Sequence, residues 1–377
     1  MIKRIVIVLL FSVVVYGVSI AQDDLEDERF LLTFVPNIQF SPLYVAIEQG
    51  YAEDAGYNLT IEYLNEPDVV DLVAAGQANF GMVSGEQVIT AVSRQRPIVY
   101  VYEWFQQYPV GVVLDAASDI TQVSDLAGKR IGLPGRFGAS YSGLTTLLTA
   151  NDMSERDVEL QEIGYVAPDV FCTGGAVDAV VVYLNNEPLQ IQLRADAGDC
   201  ADVESVRVFP VAESTDLVAN GIITSTELLE RDPNHVSAIV MAFDHGLRDV
   251  INNPARAYLL SEAYVEGLPL SDELREALNT LADEQDAFLA DQPTREDIIA
   301  SRSAMLETLQ STIADPAELI QFQVLLASIN LWDADQLGYS DMASWEAMQT
   351  TLIELGSLDD AIDLEGIFTN QFVDETD

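Results

Sequence analysis

Basic side chains are scarce in this 377-residue chain. Lysine occurs only at Lys3 and Lys129, and 17 lysines and arginines stand against 62 aspartates and glutamates, for a formal net charge of −45. Such a charge repels nucleic acid and anionic membrane surfaces, so no nucleic-acid partner is expected. The acidic residues are dispersed among apolar periodic segments, which is typical of the solvated surface of a folded protein.

Histidine is scarce as well. His235 and His245 are the only two, and neither has a companion at metal-ligand spacing, so we expect no metal site. The chain also lacks the glycine patterns of phosphate and dinucleotide binding and the motifs of serine hydrolases and zinc proteases. We therefore predict no cofactor and no enzymatic activity. Glu86, Glu103 and Glu187 could form an acid pair of the glycosidase kind, but the sequence gives no distance to support it.

Only two cysteines are present, Cys172 and Cys200. In an exported protein such a pair can form a disulfide bond. The sequence leaves bonded and free thiols equally open, because it gives no separation between the two Cα atoms.

The N-terminal segment has the organisation of a signal peptide. Lys3 and Arg4 form a basic start, residues 5–18 are apolar, and Ser19-Ile20-Ala21 is a small-residue cleavage site. We therefore predict a signal peptide over residues 1–21 and an exported mature protein. An uncleaved membrane anchor is the alternative, since the apolar run is only slightly shorter than a membrane span.

Apolar strands alternate with amphipathic helices along the rest of the chain. Residues 30–35 are a short apolar run, Ser41 and Pro42 are typical of a helix start, and Gly50 ends that helix. Similar units follow, and they indicate a largely parallel sheet with helices on its faces.

The length of the chain exceeds that of a usual single core. Strand-and-helix units up to about residue 216 give way to a mainly helical region, which suggests that one lobe is interrupted by the other. The predicted lobe 1 comprises residues 29–113 plus 217–377, and the predicted lobe 2 comprises residues 114–216. The two chain crossings between the lobes would form a hinge.

Candidate binding residues follow the ends of predicted strands, where open α/β sheets place their ligands. Amide groups and aromatic rings dominate there, and they suit a flat, neutral, heteroaromatic molecule. A single aromatic residue at a strand end is more often a packing residue, so the group carries more weight than its members. The candidates are Asn37, Gln39, Phe40, Glu86, Trp104, Tyr108, Tyr141, Tyr183, Asn185 and Glu187.

Several segments, in this order, resemble the thiamine-pyrimidine-synthase-like branch of periplasmic solute-binding proteins. They are Tyr44-Val-Ala-Ile-Glu-Gln-Gly50-Tyr, Val73-Ala-Ala-Gly76-Gln-Ala-Asn-Phe80, Ser124-Asp-Leu-Ala-Gly-Lys129-Arg-Ile-Gly132, Gly175-Ala-Val-Asp178 and Asn185-Asn-Glu187-Pro188. The resemblance implies an α/β type II periplasmic-binding-protein fold, with two lobes that close over a ligand cleft. It also implies that Asn37 and Gln39 face the cleft from one lobe. Tyr183, Asn185 and Glu187 would face it from the other.

The resemblance further implies a monomeric solute-binding subunit of an ABC importer, with a permease and an ATPase as partners. Its place would be the periplasm or the extracellular face of the cytoplasmic membrane. The supply of aromatic residues favours riboflavin as the ligand. A thiamine pyrimidine precursor, hydroxymethyl- or formylamino-pyrimidine, is the alternative. An alkyl sulfonate is less favoured, and Arg136 is the residue that could hold such an anion.

One branch of the family is an enzyme, the fungal pyrimidine synthase, which uses a histidine and a cysteine-rich segment. This chain has no histidine before His235 and only Cys172 in the comparable region. These departures argue against the enzyme.

Overall fold

The computed structural model describes residues 25–215 and 217–373. The predicted signal peptide, residues 1–21, lies outside the described residues. Within them the chain forms ten strands: β1 (Glu26–Thr33), β2 (Tyr57–Leu64), β3 (Phe80–Ser84), β4 (Ile98–Glu103), β5 (Val110–Asp115), β6 (Arg130–Leu133), β7 (Glu159–Glu162), β8 (Ala179–Tyr183), β9 (Val206–Pro210) and β10 (Asn220–Ser225).

The same residues form fourteen α-helices: α1 (Ser41–Glu48), α2 (Tyr51–Asp54), α3 (Glu66–Ala74), α4 (Gly85–Ser93), α5 (Gly138–Thr149), α6 (Ala167–Thr173), α7 (Glu187–Asp196), α8 (Thr226–Arg231), α9 (Pro233–Asn252), α10 (Pro254–Leu260), α11 (Asp272–Ala290), α12 (Arg295–Thr312), α13 (Ile320–Trp332) and α14 (Met342–Glu354). In this part of the chain no helix combines the length and the apolar character that a membrane span requires.

The strands form two five-stranded sheets. The first has the order β2-β1-β3-β10-β4 and the second has the order β7-β6-β8-β5-β9. Both sheets are mixed, but four of the five strands in each run in the same direction, so the prediction of a largely parallel sheet is confirmed. In the first sheet β10 runs antiparallel between β3 and β4, because it enters from the second sheet after the chain has reversed direction. In the second sheet β5 runs antiparallel to both β8 and β9.

The chain passes between the sheets twice. It leaves the first sheet after Glu103 and enters the second at Val110, and it returns between Pro210 and Asn220. Sheet membership therefore places the first crossing a few residues before the predicted boundary at residues 113/114. The second crossing contains the predicted boundary at 216/217. The assignment of the lobes by residue range stays a prediction.

Strand β1 starts earlier and ends earlier than the apolar run at residues 30–35 predicted. Its acidic first half pairs in parallel with β2, beginning at Glu26 opposite Tyr57, while Phe30 is fully buried. The strand stops at Thr33 because Phe34 adopts a positive φ of 76°. The polar residues before Phe30 form no apolar pattern, so the sequence does not indicate that they belong to a strand.

Two cores hold these layers together. The larger covers the first sheet and the C-terminal helices and continues over one face of the second sheet and α5. Within it α9 packs so closely on α1 that a Cβ at Gly246 would lie 2.1 Å from the carbonyl oxygen of Pro42. The smaller core lies in the second sheet and contains a disulfide bond between Cys172 and Cys200. This bond joins the end of α6 to the segment that follows α7.

Candidate functional site

A cleft opens where loops from the two sheets meet. It has a volume of about 760 Å³, including its mouth toward solvent. Aromatic rings line it from both sides. The first sheet and the segment after β4 contribute Phe34, Phe40, Trp104 and Phe105; the second sheet contributes Phe137, Tyr165 and Tyr183.

The polar lining of the cleft is rich in acceptors and free of cations. Gln39, Glu66, Asn186, Glu187 and Asn220 contribute amide and carboxyl groups. Among the described residues that line the cleft there is no lysine, arginine or histidine. A bound anion would therefore face carboxyl groups without a compensating charge, which is costly away from bulk water.

Arg136 lies apart from this lining. Its guanidinium donates to Glu155 and lies 3.5 Å from Glu162. The residue that could have held an anionic ligand is thus engaged by two carboxylates.

Phe34 and Tyr165 bring the two sides of the cleft into contact. Their rings pack edge to face with centroids 4.9 Å apart. The positive φ of Phe34 is unusual for an aromatic residue, and such conformations persist where the surrounding structure imposes them. The hydroxyl of Tyr165 also donates to Asn65 Oδ1 at 3.2 Å, across the cleft.

The first predicted loop supplies Gln39 and Phe40 to the cleft, but not Asn37. A short 3₁₀ turn spans Ile38–Phe40, and Asn37 caps it by accepting the backbone N–H of Gln39 at 3.0 Å. Asparagine is one of the preferred N-cap residues of helices. Asn37 therefore orients the loop and is not part of the lining.

The end of β8 and the start of α7 place Tyr183 and Glu187 in the opposite wall. Glu187 Oε2 accepts the backbone N–H of Tyr183 at 3.0 Å, and the Tyr183 hydroxyl donates to Asn220 Oδ1 at 2.9 Å. Removal from water raises the pKa of Glu187 to about 7. This carboxyl group can therefore change its protonation state near neutral pH.

Trp104 follows β4 and lines the cleft on the side of the first sheet. Its ring centroid is 5.9 Å from that of Phe40 and 5.2 Å from that of Trp332. Its indole N–H is buried and has no hydrogen-bond partner among the described residues. Buried donors are normally paired, so this group is a candidate donor to a ligand oxygen or nitrogen.

Glu86 belongs to a buried group of three behind the lining. The Ser84 hydroxyl lies within hydrogen-bond distance of Glu86 Oε1 and of Glu66 Oε2, and the Ser84 N–H donates to Glu66 Oε2 at 3.1 Å. Burial and the neighbouring charge of Glu66 raise the pKa of Glu86 to about 8. Only Glu66 of the three lines the cleft.

The side chains of the three other candidates are engaged by hydrogen bonds within the protein. The Tyr108 hydroxyl donates to the carbonyl oxygen of Ala139, and the Tyr141 hydroxyl donates to Glu155 at 2.6 Å. Asn185 donates to Ser328 Oγ at 2.7 Å.

The structure therefore brings five of the ten candidates to the cleft: Gln39, Phe40, Trp104, Tyr183 and Glu187. The other five, Asn37, Glu86, Tyr108, Tyr141 and Asn185, do not line it. A ligand-binding role for the first five stays a prediction.

Sequence reasoning missed the lining residues Phe34, Glu66 and Asn220. A signal for Glu66 was present. Tyr63-Leu-Asn-Glu66-Pro and Tyr183-Leu-Asn-Asn-Glu187-Pro are nearly the same string, each at a strand end followed by a helix. The repeated Asn-Glu-Pro could have identified Glu66 as the counterpart of Glu187.

Comparisons with known proteins agree with this architecture. A family model described as NMT1/THI5 like matches residues 37–257, more than half of the chain. The riboflavin-binding protein RibY of Chloroflexus aurantiacus is 29% identical, over 94% of this chain and 88% of that protein. A formylaminopyrimidine-binding protein of Halalkalibacterium halodurans is 28% identical, over 68% of this chain and 77% of that protein.

Solved structures resemble the chain in fold. The periplasmic aliphatic sulphonate binding protein SsuA of Escherichia coli matches with a TM-score of 0.53 and 14% identity, over 84% of this chain and 95% of that one. The predicted α/β two-lobe fold of periplasmic binding proteins is thus confirmed.

Proposed function

Because this chain belongs to the NMT1/THI5-like family, we propose that it is the extracytoplasmic solute-binding subunit of an ABC importer and that its ligand is riboflavin. In this role it is an exported monomer that captures the vitamin between its lobes and delivers it to a membrane permease coupled to an ATPase. It binds its ligand and does not transform it.

The observation that carries the proposal is the combination of seven aromatic rings with acceptors and no cation in one cleft. The flavin ring system is flat, apolar on its faces, and carries carbonyls and one ring N–H on its edge. Aromatic side chains bind such faces by stacking and apolar burial. Glu187 and Gln39 offer acceptors for the N–H, and the unpaired indole N–H of Trp104 offers a donor for a carbonyl.

A thiamine pyrimidine precursor is the second candidate. Formylaminopyrimidine is bound by one relative, according to its name, and an aminopyrimidine edge also pairs with a carboxyl group such as that of Glu187. A single pyrimidine ring covers less aromatic surface than a flavin does, so the extent of the aromatic lining favours riboflavin.

Titration of the purified protein with riboflavin, followed by quenching of flavin fluorescence and by calorimetry, tests the proposal. We expect saturable one-to-one binding that excess hydroxymethylpyrimidine does not displace. Displacement by the pyrimidine, or binding of the pyrimidine alone, would transfer the assignment to the second candidate. Consumption of either compound during incubation would contradict the binding role.

Two exposed tyrosines provide a matched pair of variants. Tyr165 lines the cleft and Tyr339 lies outside it, at 36% and 43% exposure. Tyr165→Ala should weaken riboflavin binding about tenfold through the loss of one aromatic contact. Tyr339→Ala should leave the affinity unchanged, and equal effects of the two variants would place the ligand elsewhere.

A further inference from the structure

The side chain of Glu66 connects the two sides of the cleft. It is the first residue of α3, on the first-sheet side, and its side chain reaches the start of α5 on the second-sheet side. An ideal Cβ at Gly138 would lie only 2.7 Å from Glu66 Oε1. The backbone N–H of Ala139 also acts as a hydrogen-bond donor to the Glu66 carboxyl group.

The start of α5 has no cap of its own. Phe137 stands at the N-cap position and makes no side-chain hydrogen bond, although the helix runs for 12 residues. The first N–H groups of a helix have no partners within the helix, and together with the helix dipole they favour an anion. Gly138 has a positive φ of 67° and no side chain, so the Glu66 carboxyl group can approach these N–H groups closely.

The hydrogen bonds around Ser84 decide where the negative charge lies. The Ser84 hydroxyl has one proton but contacts both carboxyl groups, so it can donate to only one of them. Burial raises the pKa of both carboxyl groups, but Glu66 accepts two backbone N–H groups, from Ser84 and Ala139, whereas Oε2 of Glu86 has no hydrogen-bond partner among the described residues. The negative charge is therefore better placed on Glu66. Glu86 then keeps its proton and donates to Ser84 Oγ.

We propose that Glu66 is a specificity-determining residue: its carboxylate occupies the start of α5 and makes the closed cleft select uncharged ligands over anionic ones. The helix terminus that could hold a sulfonate or phosphate group is filled by an anion of the chain itself. The carboxylate also repels any second anion in a cleft that has no cation in its described lining. This inference deepens the proposed function and rests on it for the identity of the uncharged ligand.

The test compares riboflavin with riboflavin 5′-phosphate, which carries the same ring and an added anion. Wild-type protein should prefer riboflavin by about a hundredfold or more. Glu66→Gln, which keeps the size of the side chain, should reduce this ratio about tenfold. Asp68→Asn removes an exposed charge from the same helix and should leave the ratio unchanged. An unchanged ratio in folded Glu66→Gln overturns the proposal.

A second arm does not depend on riboflavin. Thermal unfolding is measured in sodium methanesulfonate and in sodium chloride at equal ionic strength. Wild type and Asp68→Asn should give equal midpoints in the two salts, whereas Glu66→Gln should gain a saturable stabilisation from methanesulfonate. Equal midpoints for Glu66→Gln, or a gain in wild type, contradict the role of Glu66.

The flavin comparison and the methanesulfonate experiment together distinguish a wrong ligand from a wrong role for Glu66. If wild type binds neither flavin, the proposed ligand is wrong and the methanesulfonate arm alone decides the inference. If circular dichroism shows that Glu66→Gln is unfolded, Glu66→Ala takes its place in both arms, with the same expected results.

Discussion

Individual carboxyl groups near the cleft titrate in the neutral range, and this gives each of them a measurable signature. Burial holds the pKa of Glu187 at about 7 and that of Glu86 at about 8. The two groups have different consequences, because Glu187 lines the cleft and Glu86 lies behind it.

Glu187 should make riboflavin binding depend on pH. A ring N–H forms a stronger hydrogen bond with a carboxylate than with the neutral acid, because the ionised acceptor adds charge assistance. As the pH falls from 8 to 6 through the pKa of Glu187, the ionised fraction drops from nearly all to about a tenth, so the affinity should fall about tenfold. Calorimetric titrations across this range measure it. Glu187→Gln should bind more weakly at pH 8 and show a flat profile; a wild-type affinity that rises toward pH 6 contradicts the assignment.

Glu86 should make folding stability depend on pH. Its pKa is raised on folding, so the folded protein holds a proton that the unfolded chain releases more readily. Its contribution is therefore fully present below the unfolded value of 4.5 and is lost as the pH rises through about 8, a change on the order of a few kcal/mol.

Thermal unfolding at pH 6 and pH 9 measures this effect. Glu86→Gln mimics the protonated acid and should lose less stability at pH 9 than wild type does. Asp68→Asn should follow wild type, and parallel curves for wild type and Glu86→Gln would show that Glu86 holds no proton at pH 6.

Among the elements, α6 is joined to the segment that follows α7 by the one disulfide bond of the described chain. The first residues of these helices, Ala167 and Glu187, both line the cleft. The bond closes a loop with a sequence separation of 28. Limiting the freedom of an unfolded loop of this size stabilises a protein by roughly 3 kcal/mol.

Reduction or replacement of the disulfide should therefore lower the unfolding midpoint by several degrees. The double variant Cys172→Ser with Cys200→Ser should melt at the same temperature with and without dithiothreitol, whereas wild type should shift only with the reductant. A wild-type midpoint that ignores the reductant after prolonged incubation at a denaturing temperature would show that the bond adds no stability.

The secondary-structure elements were more predictable than their ends or their side-chain partners. The apolar run at residues 80–84, bounded by polar residues and glycine, predicts a strand, and β3 occupies these residues. It missed the first half of β1, since residues Glu26 to Arg29 pair through their backbone. The sequence shows that Tyr141 is an aromatic residue near a helix start, and the structure agrees. Its hydrogen bond to Glu155 could not be predicted, because Glu155 lies in a 3₁₀ turn that only the folded chain brings near Tyr141.

At the scale of the whole molecule, the large net negative charge determines how folding stability responds to salt. With 62 acidic and 17 basic residues, the folded protein compresses like charges that the unfolded chain can separate. Salt screens this repulsion. Raising sodium chloride from near zero to 0.5 M at pH 7.5 should therefore raise the unfolding midpoint by several degrees.

The same salt series near pH 4.1, the isoelectric point of the sequence, is the control. There the net charge is close to zero, and the midpoint should change little. A salt response of equal size at both values would mean that screening of net charge is not the cause.

The position of β10 sets an order for folding. All five strands of the second sheet lie within residues 110–210, whereas the first sheet is incomplete until β10, residues 220–225, inserts between β3 and β4. A chain that emerges from its N-terminus, during synthesis or passage through a channel, therefore completes the middle of its sequence before its beginning. Until residues 220–225 have appeared, beyond the midpoint of the chain, β3 and the edge strand β4 have no strand between them to complete the first sheet.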